Sequence, residues 1–324
     1  MESISTYQSL FLDYLDENKN ISEPKNLYAP IGYLLEMGGK RLRPIITLMG
    51  TDCFGGETKK ALPAAMAIEV FHNFSLMHDD IMDAAPLRRG KPTVHHQWNV
   101  NTGILSGDAM LIQSYQFLNH YKDPLFGVLT RLLSKTALQV CEGQQYDIDF
   151  ETQENVSLDA YLQMIAFKTA VLVGCALKMG ALIAGASEEQ SDVAYQFGLQ
   201  LGIAFQIQDD YLDAFGNPET FGKQVGGDII ENKKTILYHK ALAGGTPDEI
   251  ITLKGWYSQS PKDPSEKIKE VTSLFERTAA KQVTQQLVKE YTEKAFNELD
   301  QLQITEQKKE VLRSFGNWLM HRTL

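Results

Sequence analysis

Three cysteines in 324 residues, Cys53, Cys141 and Cys175, stand far apart, and no C-x-x-C pair or Cys/His zinc spacing occurs. That argues against a disulfide framework or a structural zinc, and buried thiols in a reducing compartment are expected. Positive charge is short as well: 31 Lys and Arg face 41 Asp and Glu, for a net charge of −10. A nucleic-acid binder would show a basic face. An anionic substrate stays open, because a few local cations or carboxylate-bound metal ions can hold one. Glycine and proline are modest and scattered, so a collagen-like or low-complexity chain is excluded. The N-terminal stretch MESISTYQSLFLDYLDENKN has neither a basic region nor a long apolar run, so no secretory signal is expected and the cytoplasm is the expected location.

No Pro/Ser-rich linker, repeat period or composition shift divides the chain, and residues 1–324 are expected to form one domain. Alternating β patterns are nearly absent. Apolar residues instead recur at three- and four-residue spacing through Ala61–Asp83, Leu105–Tyr121, Leu125–Asp149, Leu158–Ala184, Val193–Phe215 and Ile268–Leu302. Ser187–Gln190 reads as a capping box, and Pro247 and Pro264 read as first helical positions. An all-α fold follows, a large helical bundle lined deeply by long helices. The run Thr169–Ala186 approaches the roughly 20 residues of a membrane span. Lys178 interrupts it, and Gly174, Gly180 and Gly185 suit close packing, so a buried helix is expected rather than a span.

Two acidic pentads of the form DDxxD close two apolar helices, Asp79–Asp83 and Asp209–Asp213. Positions i and i+4 share a helix face, so Asp79 sits beside Asp83 and Asp209 beside Asp213. Like charges one turn apart destabilise a helix, and the helix dipole disfavours anions at a C-terminal end. Something positive must compensate. Hard divalent cations fit, and Mg²⁺ typically takes one or two carboxylates plus substrate phosphates. An EF-hand does not fit, since its loop spacing is missing.

Basic clusters accompany both pentads. Gly38-Gly39-Lys40-Arg41-Leu42-Arg43-Pro44 is a glycine loop leading into a helix, suited to an oxyanion. Arg88-Arg89-Gly90-Lys91 follows the first pentad. Lys168-Thr169 interrupts an apolar helix, where a lysine needs a partner. Lys223, Asp228 and Lys233-Lys234 follow the second pentad. Taken singly, each cluster is ordinary solvated surface. Together they suggest two diphosphates, one held through metal ions and one held directly by Lys and Arg.

In this order, GGKRLRP, HNFSLMHDDIMD, RRGKPTVH, GQQYD, the Lys-Thr pair, FQIQDDYLD and GDIIENKKT resemble the trans-isoprenyl diphosphate synthases, or polyprenyl synthetases, of short-chain type. The resemblance runs from Gly38 to about Lys234. It implies an isoprenoid-synthase-type helical fold with a deep central cavity, in which the two pentads face each other, and a homodimer with no membrane span. It also implies head-to-tail condensation of isopentenyl diphosphate with an allylic prenyl diphosphate, dependent on Mg²⁺, with three ions when substrate is bound. By position, Lys40, Arg43, His72 and Arg89 would hold isopentenyl diphosphate. Asp79, Asp83 and Asp209 would bind the metal, and Arg88, Lys168, Lys223 and Lys233 would contact the allylic diphosphate. Thr169 and Gln206 would lie along the carbocation path. A terpene cyclase or head-to-head synthase would not need GGKRLRP for a second, homoallylic diphosphate. A longer-chain polyprenyl synthase is a further alternative. A non-catalytic subunit of a heteromeric synthase should have lost a pentad, and a four-helix di-metal carboxylate protein would need Glu-x-x-His pairs on facing helices.

Product length turns on Phe74, five residues before Asp79 and roughly 7.5 Å along the helix at about 1.5 Å per residue. With Phe71 a turn further on and the small Ser75 beside it, Phe74 is expected to floor the tail cavity and favour the twenty-carbon geranylgeranyl product over the fifteen-carbon farnesyl one. Phe74→Ala should lengthen the product in chromatography of the reaction mixture. An unchanged product spectrum would remove Phe74 as the floor.

Overall fold

The computed structural model describes residues 4–19, 22–217 and 225–320. Its elements are helices α1 (Ile4–Glu17), α2 (Lys25–Glu36), α3 (Leu42–Cys53), α4 (Leu62–Met82), α5 (Val94–Gln97), α6 (Val100–Phe117), α7 (Leu125–Thr152), α8 (Leu158–Ile165), α9 (Val171–Ile183), α10 (Glu188–Phe215), α11 (Gly227–Ile230), α12 (Ile236–Gly244), α13 (Pro247–Tyr257), α14 (Ser265–Arg277), α15 (Ala280–Gln301) and α16 (Glu306–Met320). Short 3₁₀ turns precede α4 and follow α6. Among the described residues the only sheet is a two-residue hairpin, Leu87–Arg88 against Lys91–Pro92 in antiparallel register. The fold is all-α, as the periodicity predicts.

The chain divides into two compact units, Met1–Ala137 with Leu172–Tyr195, and Leu138–Val171 with Gln196–Leu324. The first is organised on α4. That helix is buried on nearly every side, from Ala64, Ala65, Ala67 and Ile68 to Phe71 and Met77. A helix apolar all round belongs in a core. Its last residues are the first pentad, with Asp83 as the C-cap. In the same unit α9 approaches α3 closely. The Thr51 hydroxyl donates to the Gly180 carbonyl at 2.9 Å, and a Cβ on Gly50 would come within 2.8 Å of the Leu177 carbonyl oxygen. Gly174 likewise admits Tyr195. Gly185 serves differently from the close-packing role expected of it: its φ of +88° places it among the left-handed residues that stop a helix. The α8–α9 stretch is long and apolar enough to cross a membrane by length and composition, yet 67% of its most apolar window is buried inside the protein.

The second unit holds the second pentad, in the last turns of α10. Its core gathers Tyr161, Ile207, Ile236, Val271 and Phe275. Starts are fixed by side-chain caps. Ser157 accepts from the Ala160 amide, and Thr246 with Glu249 forms a full capping box ahead of Pro247. In the first unit the Ser187 hydroxyl accepts from the Gln190 amide at 3.2 Å. Two boundaries differ from the sequence pattern. Pro264 is the N-cap rather than the first helical residue, because Asp263 accepts from the Ser265 amide and sets the start one residue later. The Ile268–Leu302 run is two helices, since Ala279 takes a left-handed φ of 59° and turns the chain between them.

Between α8 and α9 the backbone widens into one π-helical turn, Ala166–Ala170, which carries Lys168 and Thr169. Such bulges are frequent at functional sites. Gly143 of α7 makes room for it, because a Cβ there would run into the backbone of Lys168.

Candidate active site

A cavity of about 900 Å³, open mouth included, lies within the second unit. α7 contributes Asp147, the π turn contributes Lys168 and Thr169, α10 contributes Gln206 and Asp209, and the turn after α11 contributes Lys233. These positions are scattered over 87 residues of sequence, and the sequence reading singled out five of the six. Asp147, within GQQYD, is the partner that Lys168 was expected to need, with Nζ–Oδ2 at 2.6 Å.

The Thr169 hydroxyl donates to Gln206 Oε1 at 3.1 Å, and Gln206 Nε2 donates to Asp210 Oδ1 at 3.1 Å. Asp210 is 5% exposed, and its other oxygen accepts from the Tyr161 hydroxyl and from the Ile236 amide. Burial lifts the Asp210 carboxyl to about 7 even so. The Gln206 amide is therefore clamped from both ends, and its carbonyl oxygen is turned toward Thr169. Tyr161 was not foreseen. A tyrosine one turn into an amphipathic helix reads as core, and nothing in its local pattern marks the bond to Asp210.

Asp213 Oδ2 accepts from the Asp228 amide at 3.0 Å. Burial, with Asp210 and Asp213 nearby, raises the Asp228 carboxyl well above its usual range. Burial works against the Lys233 ammonium, but Glu231 at 2.9 Å, with Asp147 and Asp228, pushes its pKa up. The cavity thus holds a surplus of carboxylates over ammonium groups. Lys223 lies outside the described residues.

In the first unit, Asp80 is 2% exposed and is gripped by Arg88, whose Nε lies 2.8 Å from both carboxylate oxygens. The same guanidinium reaches Asp79 at 3.5 Å. Arg88, expected on a diphosphate, here ties down the pentad. Asp83 is exposed at the helix end. Arg43 Nη1 meets His72 Nε2 at 3.1 Å. Burial first, then the charges of Arg43 and Arg89, hold His72 well below its usual value, so it is the neutral ring that accepts from the guanidinium. Burial also brings Arg43 down to about 10. Arg89 donates to the Gly38 carbonyl and packs on Gly39, where a Cβ would come 2.8 Å from its guanidinium carbon. Lys40 is exposed on the same loop.

That loop is held by a residue the sequence reading did not single out. Arg41 has a left-handed φ of 51°, is 5% exposed, and binds Glu69 and the Leu35 carbonyl. Glu69 also accepts from Asn73 at 3.0 Å. A buried pair of this kind fixes geometry more than it adds stability. On α4, Phe71 and Phe74 are buried with ring centroids 5.6 Å apart, and Phe74 meets His78 edge-on at 4.9 Å. Ser75 donates to the His72 carbonyl at 2.8 Å.

Among the described residues no three His, Cys, Asp or Glu side chains form a ready-made metal cage. The donor set fits Mg²⁺ all the same. That ion takes one or two carboxylates and completes its shell with water and substrate phosphates. In each pentad the second aspartate is engaged by protein donors, and the first and last stand nearer solvent.

His239 stands against Tyr161 and Tyr238, with ring centroids at 5.6 and 5.8 Å. Burial lowers its pKa to about 4. The unfolded chain protonates this histidine near pH 6.5 and the folded chain only near 4, so between those values the unfolded state binds more protons. Stability should therefore fall as pH drops through that window. In urea denaturation the wild type should lose on the order of 2 kcal/mol more than His239→Phe between pH 7 and pH 4.5. Equal losses would contradict the buried neutral ring.

A family model described as polyprenyl synthetase matches residues 24–275. A geranylgeranyl diphosphate synthase of Methanosarcina mazei is 40% identical over 239 residues, covering 73% of this chain and 74% of that one. A crystal structure of a geranylgeranyl pyrophosphate synthase superposes with a TM-score of 0.97 at 49% identity, covering 100% of both chains. A polyprenyl synthase of Caulobacter crescentus, solved with calcium and isoprenyl diphosphate, has a TM-score of 0.88 at 26% identity and covers 98% of this chain and 96% of that one.

Proposed function

Since the chain belongs to the polyprenyl synthetase family, we propose that it is a Mg²⁺-dependent prenyltransferase that condenses isopentenyl diphosphate head-to-tail with dimethylallyl, geranyl and farnesyl diphosphates. Geranylgeranyl diphosphate is the product favoured over farnesyl. The observation that carries this reading is the convergence of Lys168, Thr169, Gln206, Asp209 and Lys233 on one cavity. Residues 1–324 act as one catalytic domain, in keeping with a family match that runs through segments of both units.

In the reaction the allylic carbon–oxygen bond breaks, and the pair of electrons leaves with pyrophosphate. The isopentenyl double bond attacks the allylic carbon, and a proton is lost to the departing pyrophosphate. Asp79, Asp83 and Asp209 would hold magnesium, which when bound would neutralise charge on the leaving oxygens. Lys168, Lys233 and Arg88 supply fixed positive charge to the same diphosphate, already oriented before the bond breaks. Lys40, Arg43, Arg89 and the neutral His72 hold isopentenyl diphosphate. Gln206 Oε1, clamped through Asp210, presents the negative end of its dipole to developing carbocation charge. Met164 and Ile165 line the cavity and keep water from that cation.

The protein works in the cytoplasm as a homodimer. On α6, Leu105 and Ile112 are 61% and 60% exposed, and Ile104 is 42% exposed, an apolar face suited to a second copy. Leu105→Glu should shift the protein toward monomer in light scattering after size-exclusion chromatography. An unchanged mass, or a monomeric wild type, would contradict the assignment.

The function is tested with Mg²⁺, labelled isopentenyl diphosphate and each allylic starter, followed by chromatography of the dephosphorylated products. The twenty-carbon alcohol should dominate, and Asp209→Ala should lower kcat on the order of 10²–10³-fold. No labelled product with any starter would overturn the assignment.

A further inference from the structure

Lys267 of α14 has no solvent exposure at all. Its Nζ donates to Asn232 Oδ1 at 2.5 Å, to the Gln259 carbonyl at 2.9 Å and to the Ile230 carbonyl at 3.4 Å. All three partners are neutral. Lysine is almost never fully buried unless paired, and an ammonium set among neutral acceptors loses solvation that a methionine of similar volume would not. Packing therefore does not account for a charge at this position, whereas what it binds does.

The three acceptors join the turn after α11 to the segment beyond α13, which the Asn232 side-chain amide also bridges more loosely, donating to the Gln259 carbonyl and the Ser260 hydroxyl at 3.4 Å each. Ile230 is the last residue of α11, Asn232 is the left-handed residue of the following turn, with φ 60°, and Gln259 lies just beyond α13. Next to Asn232 is Lys233. Its amide donates to the Asp228 carbonyl at 2.9 Å and its carbonyl accepts from the Thr235 amide at 2.9 Å, so its backbone moves with this turn. The amide of Ile236, three residues on, bonds the buried Asp210. Lys267 itself does not line the cavity.

We propose that Lys267 is a positioning residue: its buried ammonium fixes the left-handed turn at Asn232 and thereby sets where the Lys233 ammonium meets the allylic diphosphate. The proposal rests on the reading of Lys233 as a diphosphate contact. Lys267 acts through the turn and touches neither substrate.

A double-mutant cycle tests it, because two residues acting through one contact give non-additive penalties. Lys267→Met, Lys233→Ala and the double variant are compared by kcat, by KM for farnesyl diphosphate and for isopentenyl diphosphate, and by melting temperature. Lys267→Met should raise the farnesyl diphosphate KM on the order of tenfold, close to the effect of Lys233→Ala. The isopentenyl diphosphate KM should stay within about twofold, and the double variant should be no more than about twofold worse than Lys233→Ala. Asn232→Gly keeps the left-handed turn but removes both the acceptor and the amide donors to Gln259 and Ser260, and it should raise the same KM. Asn232→Asp loses those amide donors but keeps an acceptor for Lys267, and it should not. A lower melting temperature with the farnesyl diphosphate KM unchanged in Lys267→Met, or penalties that multiply in the double variant, would overturn the proposal. If Lys267→Met fails to fold, Asn232→Gly decides, and its unchanged KM overturns the proposal. An unchanged KM in Lys233→Ala alone is a different failure, one that removes the underlying reading of Lys233.

Discussion

Carboxylates placed side by side at the C-terminal end of a helix repel one another and oppose the helix dipole, and in both pentads the second aspartate is relieved by a protein donor. Arg88 folds back eight residues to grip Asp80 through both oxygens. Asp210 is satisfied by the Tyr161 hydroxyl, the Gln206 amide and the Ile236 backbone. The buried carboxylate is consumed by the fold in each case, while Asp79, Asp83, Asp209 and Asp213 stand nearer solvent, Asp79 within 3.5 Å of Arg88 and Asp213 accepting from the Asp228 amide. Two different sets of donors thus reach the same division of labour.

The same economy governs the cations. Lys168, Arg43 and Lys233, among the cations expected to meet a diphosphate, are each set in place by something behind them. Lys168 is braced by Asp147 on a π turn that Gly143 admits. Arg43 is matched by a neutral His72, and the loop leading into its helix is pinned by the buried Arg41–Glu69 pair. Lys233 rides on a turn that Lys267 holds from inside the protein. A group aimed before the reaction begins stabilises developing charge without reorganising, which is where electrostatic catalysis draws most of its strength.

Much of this was legible in the residues. The pentads could be read because i and i+4 share a helix face, and the cations because glycine loops and Lys-Thr in an apolar helix are locally odd. The supporting residues could not. Tyr161 and Lys267 look like an ordinary core tyrosine and an ordinary surface lysine until tertiary packing brings their partners. The break at Ala279 carries no glycine or proline to announce it, and Pro264 reads as a first helical residue although Asp263 caps ahead of it and makes it the N-cap. Gly185 reads as a packing residue, whereas its backbone angle makes it a helix stop. What stayed hidden in each case depends on residues distant in sequence, and no local period records it.

The most direct test of the division within the pentads is an anomalous-scattering experiment on crystals grown with Mn²⁺ in place of Mg²⁺ and a non-reactive allylic diphosphate analogue. Anomalous peaks should be coordinated by Asp79, Asp83 and Asp209 together with diphosphate oxygens, while Asp80 stays on Arg88 and Asp210 on Tyr161. Metal bound to Asp80 or Asp210 instead, or no anomalous peak at either pentad with the analogue in place, would contradict the account.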